Sequence, residues 1–400
     1  MTRGRLQYLV GFLVIGAVTT GTFMGARLMP AVKAVPVASR PGIALPAPSP
    51  SAVPGPDLGS LDEDIGAVLV ASWAGTGIAP ATRSLLVDDN VGGVLLFASN
   101  FNGPGGLKAL TAALQTLDSA ACLDHPILVM LDEEGGQVNR VQSGFAPPSQ
   151  LVVGAGGASH VRAVERISAA GLHELGVGLN LAPVADVRTN PGDMVIGDRS
   201  FGSSPARVQM LVGAAVQGLH DGGVGATLKH FPGLGGAAGD PHVAIPTDYE
   251  SEARWEQVQL PAFAAGIQAG ADAVMTTAVY VPGLGGGSTP AMFSAAVVGR
   301  LRTELDFSGV IISDSVSMGG IGARYSLPEA TVLALAAGND LVLLGNGDPT
   351  YEADAMAAVR AAVLSGGLDR ASLHESALRV NRLRDRWGRR FIHCRAVRSA

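Results

Sequence analysis

A lysine, two histidines and an aspartate stand within fourteen residues in Lys229-His230-Phe231-Pro232-Gly233-Leu234-Gly235-Gly236-Ala237-Ala238-Gly239-Asp240-Pro241-His242. The apolar run Val224–Leu228 stops at Lys229, so these polar groups begin where a strand has just ended. Asp240 lies two residues from His242, close enough to orient the imidazole and set its tautomer for proton transfer. Other carboxylates follow other apolar runs: Asp132 after Ile127–Leu131, Asp186 after Leu179–Pro183, and Asp314 after Gly309–Ser313. Each alone is open to reading as a helix N-cap, and for Asp186 that is the simpler reading. Together they describe charged groups gathered from separate strand ends.

The elements that must position them follow a regular alternation. Short β-branched runs predict strands at 67–71, 93–97, 127–131, 179–183, 225–229, 273–276, 309–313 and 341–344. Helical patterns lie between them at 107–117, 160–175, 206–221, 255–269 and 295–305. This is the signature of parallel βα units. Eight such strands predict an α/β chain folded as one (β/α)8 TIM-type barrel, whose chemistry sits at the carboxyl ends of its strands. A doubly wound open sheet is the alternative.

Composition bounds the remaining readings. The formal charge of −6 is dispersed and no basic patch is evident, so nucleic acid is not an expected partner. The two cysteines, Cys122 and Cys394, are too few for a disulfide framework or a four-cysteine metal site. A single Cys122–Cys394 bridge stays open, and one buried thiol and one tail thiol is the simpler expectation. Arg3 and Arg5 precede a charge-free stretch from Leu6 to Ala26, and small residues at Ala31-Val32-Lys33-Ala34 offer a cleavage site. Residues 1–34 therefore read as a signal peptide or membrane anchor, with 6–26 as the anchoring segment. Residues 35–59, rich in Pro, Ala and Ser, read as a semi-rigid linker. The catalytic domain is expected over 60–390, followed by a tail at 391–400. The domain is expected to be exported, either secreted or anchored to the cytoplasmic membrane, and a monomer is the simpler expectation.

From about Asp64 to Gly388 the chain resembles glycoside hydrolase family 3, in particular its single-domain β-N-acetylglucosaminidases (β-hexosaminidases). The resemblance rests on Gly92-Gly93-Val94-Leu95-Leu96-Phe97, Asp132-Glu133-Glu134-Gly135-Gly136, Gly197-Asp198-Arg199-Ser200-Phe201-Gly202, the Lys229–His242 segment, and Ile312-Ser313-Asp314-Ser315-Val316-Ser317-Met318. It implies a retaining, exo-acting enzyme that removes non-reducing terminal GlcNAc from β-1,4-linked glycans without a metal or other cofactor. Asp314 would be the nucleophile, His242 the general acid/base, and Asp240 its orienting partner. Asp132, Arg140, Arg199, Lys229 and His230 would bind the sugar hydroxyls. A histidine suits the acid/base role because its ordinary pKa already lies near working pH. Export would bring such an enzyme to peptidoglycan fragments and muropeptides, with chitin oligosaccharides as an alternative.

The chain departs from the family pattern at three places: Pro241 replaces a Ser or Thr, Gln137 an Arg, and Ala278 a His. These departures motivate a second class of reading, a non-catalytic glycan-binding protein on the same fold. Another β-hexosidase of the family, such as a β-glucosidase, and phosphorolysis in place of hydrolysis stay open. In larger β-glucosidase-type members a second domain supplies the acid/base, and no such domain is expected here. The glycine run Gly233–Gly239 is not a dinucleotide fingerprint, because Asp240-Pro241-His242 rather than a long helix follows it. It reads instead as a hinge carrying the Asp-His pair. A metal held by His230, Asp240 and His242 matches no simple zinc spacing.

Overall fold

A computed structural model describes residues 58–389, apart from Met194 and Asn346. The candidate membrane segment at 6–26, the leader and linker up to residue 57, and the tail at 391–400 lie outside the described residues. Among the described residues, no helix is long and apolar enough to cross a membrane.

Eight short parallel strands form the sheet: β1 (Leu69–Ala71), β2 (Gly93–Leu95), β3 (Val129–Leu131), β4 (Leu179–Asn180), β5 (Gly225–Phe231), β6 (Ala273–Thr276), β7 (Val310–Ser313) and β8 (Val342–Leu343). They lie side by side in chain order, and β1 also pairs with β8. A parallel bridge between Ile312 and Leu341, with the Ser313 N–H donating to the Leu341 carbonyl at 2.8 Å, joins β7 to β8. The ring is thereby closed, as a (β/α)8 barrel requires and an open sheet does not. All eight expected strands are present.

Period-two alternation sorts their side chains. Leu128 and Met130, Leu179 and Leu181, Ala273 and Met275, Val310 and Ile312, and Leu341 and Leu343 fill one buried cluster inside the barrel. Their neighbours Val129, Leu131, Val274 and Ile311 belong to the larger cluster under the surrounding helices. A strand buried on both faces reads as a continuous apolar run, which is why the runs were visible in the sequence.

Helices Gly103–Ala121, Ala158–Glu174 and Pro205–Asp221 match the predicted stretches to within four residues at each end. The expected helix over 255–269 is two, Glu252–Val258 and Leu260–Gln268, because Pro261 stands in the first turn of the second. The one expected over 295–305 likewise divides at Gly299. Cys122 ends its helix in a left-handed conformation and is exposed at the surface. This corrects the expectation of a buried thiol; Cys394 lies outside the described residues.

Candidate active site

The carboxyl end of β3 supplies the acidic half of a charged frame. Asp132 follows the strand directly, and Glu133–Gly135 then pairs with Val138–Asn139 as a small antiparallel hairpin. From β5, Lys229 reaches two carboxylates at once: its Nζ lies 2.6 Å from Asp132 Oδ1 and 2.6 Å from Glu134 Oε1. Arg199, on the short turn Gly197–Arg199, grips Glu134 with two bonds of 2.7 and 2.8 Å. Lys229 is 2% exposed, so its charge is tolerable only because it is paired on both sides. Burial opposes ionisation of Glu134, but the charges of Lys229 and Arg199 outweigh it and hold the carboxyl far below its ordinary range. Burial likewise works against the charge on Lys229, and Asp132 with Glu134 overcomes it, raising the ammonium pKa. Arg140 joins the rim, 3.8 Å from Asp132 Oδ2.

His230 is turned towards a second carboxylate. Its Nδ1 donates to Asp186 Oδ2 at 2.7 Å, and Arg199 Nη2 lies 3.2 Å from Nε2. A guanidinium has only donors, so Nε2 accepts and the ring proton sits on Nδ1. Asp186 also takes the backbone N–H of Leu234 at 2.6 Å. It caps no helix. The simpler sequence reading of Asp186 is therefore wrong: it is a buried anchor that fixes the tautomer of His230 and the start of the next loop.

Asp314 leaves β7 with its backbone N–H on the Thr276 carbonyl at 2.7 Å. Its Oδ2 accepts from the Thr277 hydroxyl at 2.8 Å and its Oδ1 from the Ser315 N–H at 2.8 Å. The helix that follows, Gly319–Gly322, begins after Met318, so Asp314 is not its cap. One hydrogen bond to each oxygen fixes the carboxylate plane and leaves each oxygen a lone pair.

The Asp240–His242 pair forms as expected. Asp240 Oδ1 accepts both the His242 backbone N–H at 2.9 Å and Nδ1–H at 2.8 Å, leaving Nε2 free. Partial burial works against ionisation of Asp240, but these two donors overcome it and lower the carboxyl pKa. Pro241 costs the turn none of these bonds, since the N–H groups of His242, Val243 and Ala244 all reach Asp240. The glycine run before them is not a hinge along its whole length. Residues 233–235 and Ala237 are buried, and a Cβ on Gly235 would lie 2.3 Å from the Val187 carbonyl oxygen. These glycines permit close packing, and exposure begins only at Ala238.

Asp132, Arg140, Arg199, Lys229, His230, His242 and Asp314 line one cavity at the strand ends, with Asp240 standing behind His242. Its volume of about 190 Å³ falls below the ~300–1000 Å³ of pockets for drug-sized ligands, which suits a single ring. Three carboxylates (Asp132, Glu134, Asp314) face three cations (Arg140, Arg199, Lys229), while Leu95, Phe97, Val138 and Met275 add apolar wall. Paired donors and acceptors of this kind suit a neutral polyhydroxylated ligand. Sequence reasoning had not assigned roles to Glu134, Asp186 and Thr277, although the Glu-Gly-Gly motif pointed at the first. Of the departures, Ala278 is buried in an apolar cluster with Met292 and Val316 and is not on the cavity wall, and Gln137 bonds Asp198 at 3.2 Å.

Beneath the frame lies a carboxylate that lines nothing. Glu133 is fully buried; its Oε2 accepts from the N–H groups of Arg140 and Val141 at 2.8 and 3.0 Å, and its Oε1 has no hydrogen-bond partner among the described residues. Burial chiefly, with Asp132 adding to it, pushes its pKa up to about 7. Burial and the neighbouring Glu133 push Glu165 up to about 8.

The chain is similar to known proteins over most of its described length. The family model described as "Glycosyl hydrolase family 3 N terminal domain" matches residues 60–383. A curated beta-hexosaminidase of Xylella fastidiosa is 36% identical over 305 residues, 73% of this chain and 87% of that one. One from Xanthomonas oryzae pv. oryzae is 34% identical over 304 residues, with the same coverage. Among solved structures, a family 3 beta-N-acetylglucosaminidase from Paenibacillus sp. superposes with a TM-score of 0.78 at 35% identity, covering 82% of this chain. The match spans only 62% of the Paenibacillus chain. A beta-N-acetylhexosaminidase from Beutenbergia cavernae gives 0.73 at 31% identity, covering 81% of this chain and 98% of that one. The chain is a glycoside hydrolase with a (β/α)8 catalytic barrel, and it belongs to glycosyl hydrolase family 3.

Proposed function

We propose that this glycoside hydrolase is a retaining, exo-acting β-N-acetylglucosaminidase that uses Asp314 as nucleophile and His242 as acid/base. The observation that carries the reading is that Asp314 and His242 wall the same cavity from different parts of the chain, each held by its own hydrogen bonds. The names of the curated relatives support the hexosaminide specificity.

In the first step an Asp314 oxygen attacks the anomeric carbon while the bond to the leaving oxygen breaks. His242 Nε2–H gives its proton to that oxygen, since Nδ1 is committed to Asp240. In the second step Nε2 takes a proton from water, the water oxygen attacks the same carbon, and Asp314 leaves. Two inversions give net retention. The imidazolium that donates in the first step and re-forms in the second is stabilised by the Asp240 carboxylate, and in the glycosyl-enzyme between them the imidazole is neutral. Asp132, Arg140, Arg199, Lys229 and His230 hold the sugar's hydroxyls, with Arg199 and Lys229 fixed by Glu134.

The charge-free segment 6–26 supports export, as a secreted or membrane-anchored protein, and hence peptidoglycan fragments as the substrate. The test is product analysis on chitobiose and on defined GlcNAc–N-acetylmuramic acid fragments, with the anomer of the first-formed sugar recorded. β-GlcNAc released from the non-reducing end is the expected result. Release of the α-anomer, or binding of GlcNAc without turnover above an Asp314→Ala control, would overturn the proposal.

A further inference from the structure

His242 belongs to an exposed turn, with 68% of its side chain open to solvent, and Val243 and Ala244 beside it are exposed too. The base of this loop is tied to the barrel: Tyr280 donates to the Pro246 carbonyl and accepts from the Asp248 N–H, both at 2.9 Å. Within the tip, Asp240 gathers the N–H groups of residues 242–244. Those bonds shape the turn but do not say where it stands relative to Asp314.

That position comes from the other side of the cavity. The loop after Asp314 is fastened to the barrel, with the Val316 N–H on the Leu343 carbonyl at 2.9 Å. It leads into the short helix Gly319–Gly322, and the acid/base turn lies directly against the first two residues. The Gly320 N–H donates to the Pro241 carbonyl at 3.1 Å. A Cβ on Gly319 would lie 2.2 Å from the His242 carbonyl oxygen. One on Gly320 would lie 2.6 Å from the Pro241 oxygen and 2.8 Å from the Ile245 nitrogen. All three obstacles are backbone atoms, so the turn itself would have to move.

We propose that Gly319 and Gly320 are positioning residues: a side-chain-free dock on the nucleophile's own loop that sets His242 at its working distance from Asp314. The proposal rests on His242 being the acid/base. A methyl group at either position displaces the turn outward while Asp314, held by Thr277, Ser315 and the Thr276 carbonyl, stays in place. The loss then falls on proton transfer and not on nucleophilic attack.

The test compares Gly319→Ala, Gly320→Ala, His242→Ala and Gly322→Ala, the last being a site where a Cβ meets nothing within 4 Å. Each is assayed for glycosylation on 2,4-dinitrophenyl N-acetylglucosaminide, whose leaving group needs no protonation, and on chitobiose, whose leaving group does. The ratio of the two kcat/KM values does not depend on the fraction of enzyme that folds. With Gly319→Ala and Gly320→Ala, chitobiose should lose roughly 10- to 100-fold more than the activated substrate, part of the ~10²–10⁴ that general acid catalysis supplies. The ratio for Gly322→Ala should match the wild type. Equal losses on both substrates, or ratios no different from Gly322→Ala, would overturn the dock while leaving the acid/base assignment intact. A wild-type ratio in His242→Ala would instead remove the assignment and the dock with it.

Discussion

Replacing Glu133 by Gln keeps an oxygen for the Arg140 and Val141 N–H groups and removes the ionisable group. In the folded chain burial raises this carboxyl from 4.5 to about 7. Between those values the native state holds a proton that the unfolded state has released, so stability falls as pH rises through the window. Below it both states are protonated and the penalty vanishes. Above it the penalty is complete, and a gap from 4.5 to about 7 at ~1.4 kcal/mol per pH unit amounts to roughly 3 kcal/mol. Glu165, raised to about 8 in part by Glu133, adds to the effect in the wild type and loses that contribution in the variant. Urea unfolding of wild type and Glu133→Gln from pH 4 to 9 should give curves that coincide at the acid end. They should separate through neutrality, with the variant more stable by roughly 1–3 kcal/mol at pH 8.5. Parallel curves across the range would refute the reasoning, since Glu133 would then titrate alike in both states.

Other substitutions probe the charged frame. Glu134→Gln leaves Lys229 and Arg199 buried with one carboxylate fewer, and urea unfolding should show a loss of about 3–5 kcal/mol; a cost below about 1 kcal/mol would mean that water enters the frame. Asp186→Asn frees His230 to move its proton to Nε2, where it meets the Arg199 guanidinium. The expected result is a fall in kcat/KM on the order of 10- to 100-fold, as when the partner orienting a functional histidine is removed. Nitrogen-15 NMR of the ring should report the tautomer change, and an unchanged tautomer would contradict it.

The barrel was legible because strands buried on both faces spell themselves as apolar runs, and three of the candidate carboxylates, Asp132, Asp186 and Asp314, follow such runs. The Asp240–His242 pair was legible because it is local. What escaped the sequence is what the fold brings together. Asp186 meets His230 from 44 residues away, across the β4–β5 gap, and nothing near Asp186 distinguishes it from a helix cap. Glu133 and Glu165 lie in different elements, and two glutamates so spaced read as surface residues until the packing is known. The glycines after Lys229 looked like freedom and proved to be close packing, because the neighbours that confine them, Val187 and Gln259, come from other parts of the chain. The 255–269 helix divides at Gln259, and the sequence signal for it is Pro261, set in an apolar pattern that otherwise reads as one helix.

In the proposed mechanism Asp314 forms a covalent bond to the sugar, opposite His242. His242→Ala should still attack a dinitrophenyl N-acetylglucosaminide but lack the base that activates water, so the glycosyl-enzyme should accumulate. Mass spectrometry of enzyme quenched during turnover is the direct measurement. One N-acetylglucosaminyl group on the peptide containing Asp314, absent from a His242→Ala/Asp314→Ala double variant, is the predicted result. A sugar on another carboxylate, Asp132 or Glu134 above all, or turnover with no adduct and an inverted product, would contradict it.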